Sequence, residues 1–206
     1  MNFELQACET GEAGQKPGDA LLVLVSSRFV AGSDALSGLI GEWLDSGELE
    51  AKAGKIIQSH RAPGVGATRL VVVHAGDATG KNVRQAVSAA INAVKANPQV
   101  KAVRLHLACE GCADKVGVAV VAAAEASYVY TTTQSKPEGR RIRKLTVSGS
   151  GLDRHARRFE LAVATVRGVE LAKESPGMFP EQIVAEATRV SLTQARISAQ
   201  SSGWLM

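Results

Sequence analysis

Cys109-Glu110-Gly111-Cys112 follows an apolar run of strand length and precedes a helical pattern. A helix N-terminus lends thiolate character to a thiol placed there, so this spacing can carry thiol–disulfide chemistry at Cys109 and Cys112. It does not build a Cys₄ zinc site, because the sequence holds no second Cys-x-x-Cys. Cys8 and His106 can complete a Cys₃His set, at a spacing that is not diagnostic. Incidental thiols, a redox pair and a metal site are therefore three readings of the same residues, and incidental thiols are the simplest.

Ala75-Gly76-Asp77-Ala78-Thr79-Gly80-Lys81-Asn82 lies between a strand pattern and a helix pattern, where a phosphate-cradling loop belongs. Ala75 stands where such a loop needs its first glycine, and Asn82 stands where it needs a magnesium-binding hydroxyl. Both substitutions point to an ordinary strand-to-helix turn. His60, His74, His106 and His155 are scattered, the first three on or beside strand patterns. No His-Glu-x-x-His, His-x-x-x-His or Gly-x-Ser-x-Gly spacing occurs, so no nucleophile has a readable base beside it. Catalytic residues, metal ligands and cofactors are expected to be none.

Positive charge is concentrated in one stretch. Lys136, Arg140, Arg141, Arg143, Lys144, Arg154, Arg157 and Arg158 face only Glu138 and Asp153 between positions 136 and 158, an excess larger than the whole chain's net +4. Such a stretch can neutralise phosphates or meet an acidic partner. It lacks the interleaved aromatics that stack bases and any recognition-helix motif, so a solvated loop and helix face is the simpler expectation.

The elements that must position these residues follow from periodicity. With 45% hydrophobic and 21% charged residues in 206, the chain has the composition of a globular domain plus an extension. No apolar run reaches the ~20 residues that span a bilayer. The first residues lack a basic region followed by an apolar stretch, so no secretory leader is expected. Three cysteines suit a reducing, cytoplasmic setting. Aromatics are only 4%, which leaves Val, Leu, Ile and Ala to build the core.

Phe3 to Ala7 predicts a first strand, and Glu9 to Asp19 a polar turn. Ala20 to Val25 is a continuous apolar run, as a strand buried on both faces requires. Ser33 is placed to cap a helix carrying Leu36, Leu39, Ile40, Trp43 and Leu44, stopped at Ser46-Gly47. Lys55–His60 and Arg69–His74 predict strands, and Val83 to Val94 a helix ending at Asn97-Pro98. Val103–Leu107 predicts a strand, Val116 onward a helix reaching Tyr130, and Ile142–Val147 another strand. Alternating strands and helices predict an α/β layer fold with a parallel or mixed sheet. Beyond Gly151, Phe159, Ala162, Val163, Val166 and Val169 form one apolar face of a long helix. Ile183, Val184, Ala187 and Val190 line a last one, and Ser191 to Met206 is expected to fray.

Several stretches, in this order, resemble the N-terminal domain of the leucyl aminopeptidase family, the hexameric two-metal cytosol aminopeptidases of the M17 class. They are Met1-Asn2-Phe3-Glu4-Leu5, Asp19-Ala20-Leu21-Leu22-Val23, Lys52-Ala53-Gly54-Lys55, Pro63-Gly64-Val65 and Arg69-Leu70-Val71-Val72-Val73. Ala126-Ser127-Tyr128-Val129-Tyr130, Gln134-Ser135-Lys136, Lys144-Leu145-Thr146-Val147 and Gly168-Val169-Glu170-Leu171-Ala172-Lys173-Glu174 continue the series. The resemblance covers about residues 1–190. It implies a three-layer α/β/α, macro-domain-like mixed sheet over about 1–150, followed by a linker helix and short helical tail over 151–206. It implies no ADP-ribose binding, since no matching ligand loop is found.

Ser175-Pro176-Gly177-Met178-Phe179-Pro180 stands where the family runs into an Asn-Leu-Pro-Pro-Asn-type segment. The family's Asn-Thr-Asp-Ala-Glu-Gly-Arg motif, in its C-terminal catalytic domain, is not in this sequence. The resemblance therefore implies the non-catalytic part of the enzyme and no activity of this chain. In the family this domain packs on the catalytic domain and contributes to hexamer contacts, and some bacterial members bind DNA. The expectation is an interaction module that self-associates or docks a protein partner through Phe159, Ala162, Val163, Val166 and Val169, a face left uncovered without a catalytic domain. The alternatives are a nucleic-acid-associated protein using the 136–158 stretch and a thiol oxidoreductase at Cys109 and Cys112. No membrane partner is expected.

Overall fold

A computed structural model describes residues 1–109, 111–130 and 139–174. Six strands form one sheet: β1 (Asn2–Ala7), β2 (Gly18–Val25), β3 (Ile56–His60), β4 (Ala67–His74), β5 (Ala102–Leu107) and β6 (Lys144–Gly149). Their order is β1-β6-β5-β2-β4-β3, parallel throughout except for the antiparallel β3–β4 pair. The helices are α1 (Thr10–Gln15), α2 (Ala35–Asp45), α3 (Gly80–Lys95), α4 (Val116–Ser127) and α5 (Ala156–Glu174). This is the α/β layer fold with a mixed sheet that periodicity predicts, in the three-layer α/β/α arrangement that the resemblance implies.

The core divides by strand alternation, since successive side chains of a strand point to opposite faces. Leu22 and Leu24 of β2 join Val71 and Val73 of β4 beneath α3 and α4. Leu21, Val23 and Val25 point the other way and pack with Leu70, Val72 and the α2 residues Leu36 and Ile40. The continuous apolar run at Ala20–Val25 thus has its physical reason, a central strand covered on both faces.

Local differences from the expected elements have identifiable causes. Residues 10–15, expected within a turn, form α1. Gly14 lies where an added Cβ would stand 3.0 Å from Leu36, so two small residues let α1 seat closely on α2, and packing outweighs low helix propensity. The cap of α2 is Asp34, not Ser33: an Asp34 carboxylate oxygen accepts from the Ser37 N–H at 2.9 Å. Those same hydrogen bonds hold the Asp34 pKa below its ordinary value against the opposing effect of burial. Thr79 caps α3 through the Asn82 N–H. Helix α4 stops at Ser127, short of Tyr130, and Ile142 precedes β6, buried. The expected helix at Ile183–Val190 and the tail from Ser191 lie outside the described residues, as does Lys136.

Helix α5 folds back onto the chain's own core. Phe159, Ala162, Val163 and Val166 are 8%, 7%, 6% and 4% exposed and belong to the same apolar cluster as α3 and α4. This corrects the expectation that these four residues form an uncovered docking face. An apolar stripe has no stability alone, and the nearest surface able to bury it is the outer side of α4. Of the five, Val169 alone remains open, 43% exposed.

Candidate functional site

The carboxyl ends of the parallel strands gather most of the chemistry-bearing residues. From β5 the chain leaves toward α4 on one face, and from neighbouring β2 toward α2 on the other. The crevice between these ends is the topological switch point at which open α/β sheets place their sites. Cys109 and Cys112 sit there, just past β5, and are joined as a disulfide with their Cα atoms 5.4 Å apart. Cys112 is fully buried and Cys109 is 7% exposed. A 3₁₀ turn at Ala113–Lys115 leads from the pair into α4. Arg158 of α5 donates to the Asp114 carbonyl in that turn at 2.9 Å, and Lys115 pairs with the Asp114 carboxylate.

A buried polar network lies beneath the adjacent strand ends. His106 of β5 and Ser148 of β6 are register partners, and His106 Nδ1 is 3.1 Å from Ser148 Oγ. His106 Nε2 is 3.1 Å from Thr10 Oγ1 at the start of α1. Both ring nitrogens are therefore engaged, and burial lowers the His106 pKa to about 4. Cys8 is a free, buried thiol whose pKa is raised by burial, with a Ser148 hydrogen bond pulling the other way. A neutral imidazole with both nitrogens occupied ties the ends of β5 and β6 and the start of α1 together. Sequence reasoning missed Ser148 and Thr10. The visible signal was the alternation in AVRLHL and KLTVSG, which puts polar residues on one face of two neighbouring strands.

The turn before α3 is the ordinary connection its sequence suggests: Asn82 Nδ2 donates to the Asp77 carboxylate at 2.6 Å, so the Asn82 side chain closes the loop on itself. His74, at the end of β4, accepts from the Gly76 N–H at 2.9 Å and is held below its usual pKa by burial. Among the described residues no three His, Cys, Asp or Glu side chains come together in a way that could hold a metal ion. The Cys₃His combination is thus not assembled there.

The basic stretch, contiguous in sequence, is divided in space. Strand β6 runs between its two halves, and six residues of strand span ~20 Å. Arg140, Arg141, Arg143 and Lys144 lie at the amino end of β6. Arg154, Arg157 and Arg158 lie beyond its carboxyl end, around the start of α5. Several are bound internally. Arg140 pairs with Glu170 of α5 and donates to the Ala124 and Ser127 carbonyls, Arg141 donates to the Ala96 carbonyl, and Lys144 pairs with Glu4.

Where α4 and α5 end, a small cavity is lined by Val121, Ala124, Tyr128, Val166, Val169 and Lys173. Two cations lie over the Tyr128 ring, Arg140 at 5.5 Å and Lys173 at 5.0 Å from its centroid. On α5, Leu161 is 58% exposed and faces away from the core, whereas Val169, 43% exposed, sits at the flank of the helix, lining that cavity beside exposed Thr165. No helix of the described residues is long and apolar enough to cross a membrane.

Comparison with known proteins gives a consistent neighbourhood. The model of the cytosol aminopeptidase family, N-terminal domain, matches residues 8–137. Probable cytosol aminopeptidases of Polaromonas naphthalenivorans and Albidiferax ferrireducens are 40% and 41% identical over 176 and 174 residues. Each alignment takes in 84% of this chain but only 34% and 36% of the relative. The chain thus spans about a third of the length of the curated relatives it matches. Among solved structures, a tomato leucine aminopeptidase mutant superposes with a TM-score of 0.65 at 18% identity, over 94% of this chain and 43% of that one. The bottromycin maturation enzyme BotP superposes with a TM-score of 0.54 at 17% identity, over 89% of this chain and 37% of its own. At such identities these two matches speak for the fold alone.

Proposed function

The chain belongs to the cytosol aminopeptidase family, and from that premise we propose that it works as a non-catalytic assembly module. In this reading it associates with a second copy of itself in the cytoplasm and hydrolyses no peptide on its own. The observation that supports the reading is that the family model matching residues 8–137 is that of the N-terminal domain. Two-metal hydrolysis needs several carboxylates and a Lys converging on paired metals, and the described residues bring no such group together.

The association surface is the exposed side of α5 around Leu161 with Val169 at its flank, since the inner stripe is already spent on the core. Leu161 and Val169 are large aliphatic side chains open to water, and such groups, placed together, favour association. The test uses the 206-residue chain. Sedimentation should give a mass above the monomer, and Leu161→Asp, at a side chain more than half exposed, should return it to monomer with an unchanged melting temperature. Assays with leucine amide and added zinc or manganese should show no turnover. A strictly monomeric wild type overturns the association, and metal-dependent turnover overturns the non-catalytic reading. For the nucleic-acid alternative, the divided basic stretch offers two separate short clusters, and charge reversal at Arg154, Arg157 and Arg158 would have to change a salt-sensitive affinity.

A further inference from the structure

The disulfide at the switch point has no part in that assembly reading and stands independently of it. We propose that Cys109 and Cys112 form a reversible thiol–disulfide site that exchanges with a low-molecular-weight thiol couple. A thiolate of the small thiol attacks the Cys109 sulfur, the S–S bond breaks as a mixed disulfide forms, and Cys112 leaves as a thiolate that takes up a proton. A second small thiol then resolves the mixed disulfide. Two electrons and two protons have passed to the chain, and the small thiol has become its own disulfide; oxidation is the reverse.

Three observations carry this. The two residues have a Cα–Cα separation of 5.4 Å, inside the range that a disulfide spans without backbone movement, and they are bonded. Their exposure is unequal, 7% for Cys109 against none for Cys112, so Cys109 is the one of the two with any surface open to water and the side from which a thiol would approach. The leaving sulfur stands before the amino end of the 3₁₀ turn and α4, where Lys115 and Arg158 converge on Asp114. The backbone N–H groups at the start of the turn and helix favour a departing thiolate there. The pair is also tied to the fold around it. Arg158 holds α5 to the Asp114 carbonyl two residues beyond Cys112, so the turn that carries Cys112 also anchors the start of α5.

Cys8 is the internal control, a free thiol buried in the same protein. The purified 206-residue chain, incubated in its folded state with graded ratios of reduced to oxidised glutathione, is quenched with acid, denatured and alkylated. One alkylated cysteine is expected at the oxidising end and three at the reducing end, with a single transition between. Three at every ratio, or one at every ratio including excess dithiothreitol, overturns the proposal. In the folded Cys112→Ser variant, oxidised glutathione should add one glutathione at Cys109, at least about tenfold faster than at Cys8. Equal rates at Cys109 and Cys8 overturn it as well. Since the readout is thiol count and not mass of the assembly, failure of the association reading leaves this result intact.

Discussion

The half of the sheet built on β2 and β4 is apolar on both faces; the half built on β1, β6 and β5 is apolar on only one. The register makes the contrast direct. One row across the sheet runs Leu5, Val147, Leu105, Leu22, Val71, apolar from edge to centre beneath α3, α4 and α5. The next row, on the opposite face, runs Glu4, Thr146, Arg104, Leu21, Leu70. It changes from polar to apolar between β5 and β2, where cover by α2 begins. The polar end is knit by its own pairs, with Lys144 2.8 Å from Glu4 and Thr146 Oγ1 donating to Glu4 at 3.3 Å. A sheet can therefore change character along a single row when a helix covers only part of a face, and the frontier coincides with the switch point that holds the disulfide.

Substitutions on either side of that frontier should differ most. Leu21 is fully buried under α2, and Leu21→Ala should cost about 2–5 kcal/mol through lost burial and the cavity left behind. Its register neighbour Arg104 has a buried Nε without a hydrogen-bond partner among the described residues. Arg104→Met, which keeps the volume and removes that orphan, should change stability by less than about 1 kcal/mol in either direction. Urea unfolding of both variants checks the contrast; equal costs would mean that the frontier has no energetic content.

A second effect, of roughly 3 kcal/mol at most, lies in the pH dependence of the polar half. His106 has its folded pKa lowered to about 4, so between about 4 and its ordinary 6.5 the unfolded chain binds a proton that the folded chain refuses. Stability then rises with pH across that window and is lost as pH falls through it. His106→Gln should flatten the melting-temperature profile there, leaving a shallower slope from His74, whose pKa is also lowered by burial. An unchanged profile would place the acid sensitivity elsewhere. The smallest effect is expected at the exposed edge. Both partners of the Lys144–Glu4 pair are about half exposed, and Lys144→Ala should cost less than about 1 kcal/mol and less still in high salt, as thermal melts at two ionic strengths would show.

Much of the layer fold was legible in periodicity. The continuous run at Ala20–Val25 declared a strand covered on both faces, and Phe3–Ala7, Val103–Leu107 and Ile142–Val147 declared strands that the structure sets at Asn2–Ala7, Ala102–Leu107 and Lys144–Gly149. The ordered resemblance to the aminopeptidase N-terminal domain is borne out by the family match over residues 8–137. The fold's less legible parts were those in which a short segment takes its conformation from a distant surface. Residues 10–15 carry two glycines and no helical signal of their own, yet α2 offers them a seat. The polar network was hidden for the same reason: Thr10, His106 and Ser148 are 96 and 42 positions apart and meet only when β1, β6 and β5 align.

The sequence by itself determined which residues are apolar, on which side of each strand or helix they lie, and that two thiols stand three residues apart before a helix. Those properties are local, set by side-chain chemistry and by the fixed periods of 2 and 3.6 residues. Only the tertiary structure decided what covers each face. It laid the stripe Phe159, Ala162, Val163 and Val166 on the chain's own α4 and left Leu161 and Val169 in water. It also sent the two halves of one basic stretch to opposite ends of β6. Burial is a property of two surfaces, and the second surface lies far away along the chain.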